Sequence, residues 1–267
     1  MKRWIIGLLA LTVGLSRIVA AEGSQPGHHH GGVTQIKTDM VLVEGGEFTM
    51  GSTDAEVEAV CKMFGKKKTF NAEACRMEGP QRKVKVKRFY IDRYEVTHAQ
   101  YHEFILATGH KPPPGWSGQD YPMDKGNYPV VNVSYRDAEA YAKWAKKRLP
   151  TAAEWEKAAR GTDARTYPWG NKFEAGIAQT AESVVLFSGP VNGFPKDVSP
   201  YGAIGMGGNV SEWTSDWFDI GKKMRVVKGG AWAQLSHMAR CASKDGVEET
   251  AVSQLIGFRC VADGPVK

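Results

Sequence analysis

The sequence predicts a single α+β domain with little regular secondary structure, extending from about Met40 to Pro265. Three observations lead to this prediction. The chain has 30 glycines and 13 prolines among 267 residues, more helix- and strand-breaking residues than an average globular protein. Eight tryptophans are available to pin irregular segments through buried indole rings. Short helical and short alternating segments follow one another without an internal repeat, and 42% hydrophobic residues exclude a disordered chain.

The folded domain is expected to start with β-structure. The stretch MVLVEGGEFTMGS (residues 40–52) has the pattern of a strand, a Gly-Gly turn and a second strand. A short helix over Ala55–Phe64 follows. The stretch VKVKRFYIDRYEVT (residues 84–97) alternates between apolar and polar residues, which predicts one long strand.

Three further helices carry N-terminal capping signals. The capping residues are Thr97, Ser134 and Thr151. A Gln or Glu three residues after the first and third caps completes a capping box, in which side chains and backbone N–H groups satisfy each other. Asp137 stands three residues after Ser134 and is expected to complement the helix dipole.

The C-terminal part of the chain is expected to be mostly irregular. Residues 172–224 are rich in glycine and show no sustained period. Residues 224–232 and 255–262 are apolar enough to form short core strands.

The N-terminal residues have the pattern of an export signal. Residues 1–21 combine the cationic Lys2 and Arg3, an apolar stretch and a small-residue cleavage site, with an uncleaved anchor as the alternative. Residues 22–39 include His28–His30 and are expected to form a flexible arm. Loss of the three cationic residues of the signal lowers the net charge from +6 to +3. We expect a periplasmic or secreted protein that is soluble after signal cleavage and binds no nucleic acid.

The four cysteines are Cys61, Cys75, Cys241 and Cys260. An even number of cysteines in an exported chain predicts disulfides, and four cysteines allow three pairings. The simplest pairing is local, with Cys61 bound to Cys75 and Cys241 bound to Cys260. Free buried thiols are the alternative at the second pair.

A series of motifs in a fixed order spans nearly the whole folded chain. The motifs are Met40–Ser52, Phe89–Asp92, Glu95–Thr97, Pro129–Val133, Arg148–Glu156, Tyr167–Gly170, Gly208–Trp213, Lys228–Trp232 and Gly257–Cys260. In this order they resemble the formylglycine-generating enzyme, or sulfatase-modifying factor, family. The resemblance implies a C-type-lectin-like α+β fold.

The resemblance also implies where an active site would lie. Enzymes of this family oxidise a cysteine of a nascent sulfatase with copper and oxygen, and they need two thiols after a Gly-Gly-Ser-Trp motif. Here Gln234 stands at the first thiol position and the second thiol is missing. Because Cu(I) prefers thiolate ligands, we expect neither copper binding nor formylglycine formation. The degenerate site region comprises Ser211, Ala231, Trp232, Gln234, Ser236 and His237.

Calcium is the cofactor that the resemblance implies. Its ligands would be the carbonyls of Gly205, Gly208 and Val210 and the carboxylate of Glu212. In the alternative, Glu212 and Asn209 only satisfy backbone N–H groups of a glycine-rich loop. His98 and His102 lie four residues apart on the first capped helix and are expected to be exposed or edge histidines, with a metal-binding pair as the alternative.

Three functions remain open. The first is an exported accessory protein that acts in the maturation, assembly or regulation of a periplasmic partner without formylglycine oxidase activity. The second is a periplasmic oxidoreductase with non-thiol chemistry, such as the maturation of a siderophore chromophore. The third is a module that binds a carbohydrate or another small ligand.

Overall fold

A computed structural model describes residues 39–68, 70–183 and 186–265. In chain order its helices and strands are β1 (Met40–Val43), β2 (Gly46–Met50), α1 (Asp54–Phe64), α2 (Ala72–Arg76), β3 (Arg82–Val86), β4 (Phe89–Asp92), α3 (His98–Thr108), α4 (Tyr135–Trp144), α5 (Ala152–Arg160), β5 (Ser211–Asp219), β6 (Met224–Lys228), β7 (Lys244–Glu248), β8 (Ile256–Gly257) and β9 (Val261–Ala262). No described helix is long and apolar enough to cross a membrane. The predicted signal, and the arm up to residue 38, lie outside the described residues.

Within the described ranges the strands form three small sheets. The order β1-β4-β9 makes one antiparallel sheet, and β2 with β3 makes a second. The third sheet has the order β7-β6-β5-β8, and β8 pairs with β5 in parallel. Apart from isolated β-bridges, the other described residues form helices, turns or irregular structure, as the glycine and proline content predicts.

The strands at the start of the domain pair differently from the expected hairpin. The two strands joined by the Gly-Gly turn separate into different sheets, because β1 pairs with β4 and β2 pairs with β3. The predicted long strand over 84–97 is likewise wrong. It divides into β3 and β4, which belong to two sheets. A Cβ on Gly45 would lie 2.9 Å from the backbone nitrogen of Arg88. The turn between β1 and β2 therefore passes close to the connection between β3 and β4.

The predicted caps are confirmed. Thr97 and Thr151 begin α3 and α5 with reciprocal capping boxes. The prediction for Ser134 was incomplete, because Asp137 does more than complement the dipole. Its carboxylate accepts the backbone N–H of Ser134 at 2.9 Å, while Ser134 Oγ accepts the N–H of Asp137, so α4 also has a full capping box.

Two hydrophobic clusters hold the irregular segments together. One packs α3 and α4 around Trp213, and the other packs α5 against β1, β2 and β4 around Trp155. Both indoles are fully buried, whereas Trp144 and Trp217 remain 38% exposed. Buried tryptophans therefore pin the fold at two positions and leave others at the surface.

The strand β5 was not predicted from the sequence. It lies inside the region expected to be irregular, and its pairing with β6 shifts register twice between Trp213 and Asp219. Such bulges interrupt the alternation that marks a strand in a sequence. The start of β5 nevertheless carries Ser211 and Glu212, two residues of the predicted sites.

Candidate functional site

Three residues of the degenerate active site come together between β5 and the loop after β6. Ser211 is the first residue of β5, and its hydroxyl oxygen lies 3.0 Å from the carbonyl oxygen of Gly229 and 3.1 Å from Oε1 of Gln234. The backbone N–H of Gln234 donates to the carbonyl of Ala231 at 2.8 Å, which closes a tight turn. Ser211 is 1% exposed and Gln234 is half-buried, so the single hydroxyl proton of Ser211 is shared between these two acceptor oxygens.

This arrangement holds no soft ligand for copper. An amide oxygen and a hydroxyl are hard donors, whereas Cu(I) prefers thiolate sulfur. Burial raises the pKa of both Cys75 and Cys241 to about 12 and raises that of Cys260 well above its usual value. These thiols therefore stay protonated at neutral pH, and the chain has only one further cysteine, Cys61 on α1.

The other predicted site residues, Trp232, Ser236 and His237, do not come together in one place. Trp232 lines a cavity beside α3, whereas His237 lines a separate cavity under α1. The backbone N–H of Ser236 donates to a carboxylate oxygen at 2.8 Å. The His237 ring contacts Phe64 and Phe70, with centroids 4.7 and 5.2 Å away. Burial lowers the pKa of His237 to about 4, so its imidazole is neutral at pH 7. His237 and Trp232 therefore do not form one pocket.

All four cysteines are free thiols in the structure. The predicted bridge between Cys241 and Cys260 is wrong, because Cys241 is part of the Trp155 cluster and Cys260 is part of the Trp213 cluster. Cys61 and Cys75 behave differently. Their side chains share a hydrogen bond between α1 and α2, so this pair remains a predicted disulfide.

Mild oxidation is expected to remove two of the four thiols. Cys61 and Cys75 are in contact and can pair, whereas Cys241 and Cys260 each lie in a separate buried cluster. Alkylation under denaturing conditions without reductant, followed by mass spectrometry, should count two labels after oxidation and four after reduction. The Cys61→Ser variant should retain three labels under both conditions. Four labels on the oxidised parent protein would contradict the pairing.

The negative charge of Glu212, the predicted calcium ligand, is already balanced by the guanidinium of Arg259. Its two carboxylate oxygens accept N–H groups of the Arg259 guanidinium at 2.8–2.9 Å, and Oε2 also accepts the indole N–H of Trp155 at 2.7 Å. All three residues are fully buried. The set Gly205, Gly208, Val210 and Glu212 therefore keeps only its backbone carbonyls, and this geometry does not support Glu212 as a ligand. The alternative expectation was that Glu212 and Asn209 only satisfy backbone N–H groups of the loop. It holds for Asn209, whose side-chain oxygen accepts the backbone N–H of Gly189 at 2.9 Å.

Two other carboxylates are buried beside the same loop. Oε2 of Glu95 and Oδ1 of Asp197 are buried and accept no hydrogen bond from the described residues. A Cβ on Gly205 would lie 3.0 Å from Glu95 Oε2, so only glycine lets the loop approach this carboxylate. Burial raises the pKa of Glu95 to about 8 and that of Asp197 to about 7, and the charge of Glu212 adds to both shifts.

The two histidines of α3 have different surroundings. His98 is 7% exposed, which corrects the expectation of an exposed or edge histidine, and its ring packs 5.5 Å from Trp116. Nε2 of His102 lies 3.7 Å from a carboxylate oxygen of Asp120. Across residues 39–68, 70–183 and 186–265, no group of three or more His, Cys, Asp or Glu side chains is arranged to hold a metal ion.

Sequence reasoning missed three residues at these sites. Glu95 follows a buried strand in the motif Tyr-Glu-Val-Thr, and an acid in that apolar context is a usable signal for a buried carboxylate. Asp197 lies in a Pro- and Gly-rich loop, and Trp116 follows a Pro-Pro-Pro-Gly run. Neither position carries a periodic signal, because the contacts that bury these side chains come from distant segments.

The family model described as the sulfatase-modifying factor enzyme 1-like domain matches residues 30–264. The chain is 30% identical to a formylglycine-generating enzyme of Bos taurus, across 91% of this chain and 79% of that protein. It is also 30% identical to a Bos taurus protein named inactive C-alpha-formylglycine-generating enzyme 2, across 84% of this chain and 88% of that protein.

One solved structure supports the fold independently. PvdO from Pseudomonas aeruginosa superposes with a TM-score of 0.67 at 24% identity, across 88% of this chain and 98% of that chain. The predicted α+β fold with little regular secondary structure is therefore confirmed. Because the family model covers most of the chain and relatives at 30% identity align over nearly all of it, the chain belongs to the sulfatase-modifying factor, or formylglycine-generating enzyme, family.

Proposed function

We propose that this protein is an exported accessory protein that acts in the maturation, assembly or regulation of a periplasmic or secreted partner, without formylglycine oxidase activity. The observation that carries the proposal is the contact between Ser211 and Gln234, at 3.1 Å, in the place of the first thiol. A relative at 30% identity is itself named inactive, which supports the proposal that this protein has no formylglycine oxidase activity.

No formylglycine is expected in a sulfatase that is co-expressed with this protein. The chemistry of the family needs two thiolates around copper, and the segment from Gly229 to Arg240 contains none. Mass spectrometry of the target peptide checks the result, with the bovine enzyme as the positive control. The Gln234→Cys variant restores one thiol and should also be inactive, because the second is still missing. Formylglycine produced by the unaltered protein would overturn the proposal.

The accessory role predicts a partner in the same compartment. A photo-crosslinking residue at Phe187, which is 65% exposed and packs against Trp232, should attach one discrete envelope protein in living cells. The same residue at Ile220, which is 70% exposed on the β5–β6 turn, is the matched control and should attach none. Adducts with cytoplasmic proteins would count against an exported accessory protein.

Calcium belongs to the proposal as its cofactor, since members of this family can bind it. The oxygens that fit a hard cation are those of Glu95 and Asp197 that accept no hydrogen bond from the described residues, together with backbone carbonyls of the loop, in place of Glu212. Calcium takes six to eight oxygens, so carbonyls and water would complete the set. The guanidinium of Arg259, 4.0 Å from Glu95 Oε2, is bound by Glu212, so the ion would add positive charge beside these two buried carboxylates.

The oxidoreductase with non-thiol chemistry remains a prediction from the sequence. Accumulation of a reduced siderophore precursor on deletion of the protein would favour it over the accessory role.

A further inference from the structure

The strand β3 (Arg82–Val86) forms one edge of the small sheet that it shares with β2. Within the described ranges it pairs with β2 alone, and no hydrogen bond outside this ladder involves the backbone of residues 82–88. The outer edge of the strand therefore presents N–H and C=O groups that no described residue satisfies. An edge of this kind is a template on which a further extended segment can pair.

A groove of about 570 Å³ runs along this edge. One wall consists of the five consecutive residues 84–88. Because consecutive side chains of a strand point to opposite faces, a groove that all five line follows the edge of the strand and not one face. The other wall contains Thr151, Ala153 and Glu154 at the start of α5. The volume lies within the range of about 300–1,000 Å³ that is usual for binding sites, so the groove has room for a bound segment.

The wall beside α5 is fixed by its own hydrogen bonds. The guanidinium of Arg148 donates to the two carboxylate oxygens of Glu154 at 2.6 and 2.7 Å, and to Asp263 at 2.7 Å. Glu154 also accepts the backbone N–H of Thr151 at 2.8 Å. The two carboxylates of the groove are thus already bound by Arg148. A wall that is ordered before the ligand arrives loses less conformational entropy on binding.

The wall formed by β3 is strongly cationic. Five of the seven residues from Arg82 to Arg88 are lysine or arginine, and all five are exposed. None of them forms an ion pair with a described acidic residue. The strand β2 supplies one acid, Glu47, opposite Lys85 in the ladder, so an excess of positive charge remains. An acidic segment is therefore the electrostatic complement of this edge.

The lysines of the edge follow the period of a strand. Lys83 and Lys85 lie on the same face of β3, and Lys87 continues the series two residues later. Alternate residues of a strand are about 7 Å apart, so a paired strand with an acid at every second position would place each carboxylate beside one lysine. Cross-strand pairs of opposite charge are stabilising. The two valines of β3 belong to the other face and pack in the hydrophobic core, which suits apolar side chains at the intervening positions of the partner.

We propose that the open edge of β3 binds an acidic, extended segment of a partner polypeptide, which adds as a third strand to the β2–β3 sheet. The backbone of the edge supplies the hydrogen bonds, and the lysines select alternating acidic side chains. A second copy of β3 is disfavoured as the occupant, because like charges opposite each other repel. Neither the residues of the degenerate site nor Phe187 line this groove, so the proposal can fail without the accessory function and the accessory function without it.

Calorimetric titration of the full mature chain at low ionic strength tests the proposal with three synthetic peptides. The peptide acetyl-EVEVEVE-amide should bind about tenfold more tightly than acetyl-QVQVQVQ-amide, which has the same length and pattern but no charge. A third peptide has the acidic sequence with a methyl group on every backbone nitrogen. It keeps the charges but donates no backbone hydrogen bond, so it should also bind about tenfold more weakly.

Matched variants locate the binding on β3. The triple variant Lys83→Gln, Lys85→Gln and Lys87→Gln should weaken the acidic peptide about tenfold, because three cross-strand charge pairs are lost. The control replaces the exposed residues Lys66–Lys68 by glutamine, which removes the same charge outside the groove and should leave the affinity unchanged. Hydrogen exchange followed by mass spectrometry should show slower amide exchange in residues 82–88 when the acidic peptide is bound.

Several results would each overturn the proposal. They are equal affinity for the acidic and the neutral peptide, an unchanged affinity in the triple variant, and amide exchange in residues 82–88 that the peptide does not slow. Equal weakening by the triple variant and by the Lys66–Lys68 control would show a general effect of charge and no site on β3. Binding of dextran sulfate without binding of the acidic peptide would assign the surface to an anionic polysaccharide instead.

Discussion

Replacement of Arg259 by methionine is expected to lower the free energy of unfolding by about 3–5 kcal/mol, because removing one partner of a buried ion pair leaves an uncompensated charge. The Arg259 side chain is fully buried. Its guanidinium donates to both carboxylate oxygens of Glu212 and to the carbonyls of Asp92, Arg93 and Ile204 at 2.8–3.2 Å. Methionine fills a similar volume but satisfies none of these acceptors, so three segments lose their common donor.

Urea denaturation at pH 7 measures this effect. The matched control is Arg165→Met, because Arg165 pairs with the half-exposed Asp163, and exposed pairs contribute about 0–1 kcal/mol. Arg259→Lys keeps the charge but loses the planar fork, so it should fold and fall between the parent protein and Arg259→Met. It therefore provides a measurable variant if Arg259→Met does not fold. Similar losses for Arg165→Met and Arg259→Lys would contradict the central role of this guanidinium.

The part of the fold that follows local rules could be predicted from the sequence. The caps at Thr97, Ser134 and Thr151 depend on residues three positions apart, and all three occur. Strand pairing depends on distant segments. The Gly-Gly turn between β1 and β2 looks like a hairpin, yet each strand finds its partner beyond α2. Short core strands are predicted over residues 255–262, where β8 and β9 lie, but no periodicity could reveal that these two-residue strands pair with β5 and β4.

In the candidate site too, features set by residue identity could be predicted from the sequence, whereas contacts between distant segments could not. The loss of the catalytic thiols is visible in the sequence, because it is a matter of residue identity at Gln234. The contact between Gln234 and Ser211 spans 23 residues and no spacing rule predicts it. Glu95 and Asp197 come about one hundred residues apart to flank one loop, so their joint burial appears only in three dimensions.

Substitution of Glu95 by glutamine is expected to stabilise the calcium-free protein at pH 8. Glu95 is buried, and its pKa is about 8 in the folded state against an ordinary value near 4.5. Between these two values the folded protein binds a proton that the unfolded chain has released, so the stability of the parent protein falls as the pH rises. Asp197, with a pKa raised to about 7, acts in the same direction. Glutamine removes the buried charge, and its Oε1 still accepts the amide of Asn209, at 3.0 Å in the parent.

Thermal and urea denaturation in the presence of a chelator measure this difference. Glu95→Gln should exceed the parent protein by about 1–3 kcal/mol at pH 8, and the two should converge at pH 5, where Glu95 is protonated in the folded protein. Glu103→Gln, on the exposed face of α3, is the control and should shift neither value. Added calcium at pH 8 should raise the melting temperature of the parent but not of Glu95→Gln, because the ion would bind the charge that the variant lacks. A Glu95→Gln protein that is equally destabilised at both pH values would show that Glu95 is ionised and paired in the fold. In that case the charge of Glu95 would stabilise the fold. Both the predicted pH dependence of stability and the proposed binding of calcium at this carboxylate would then be wrong.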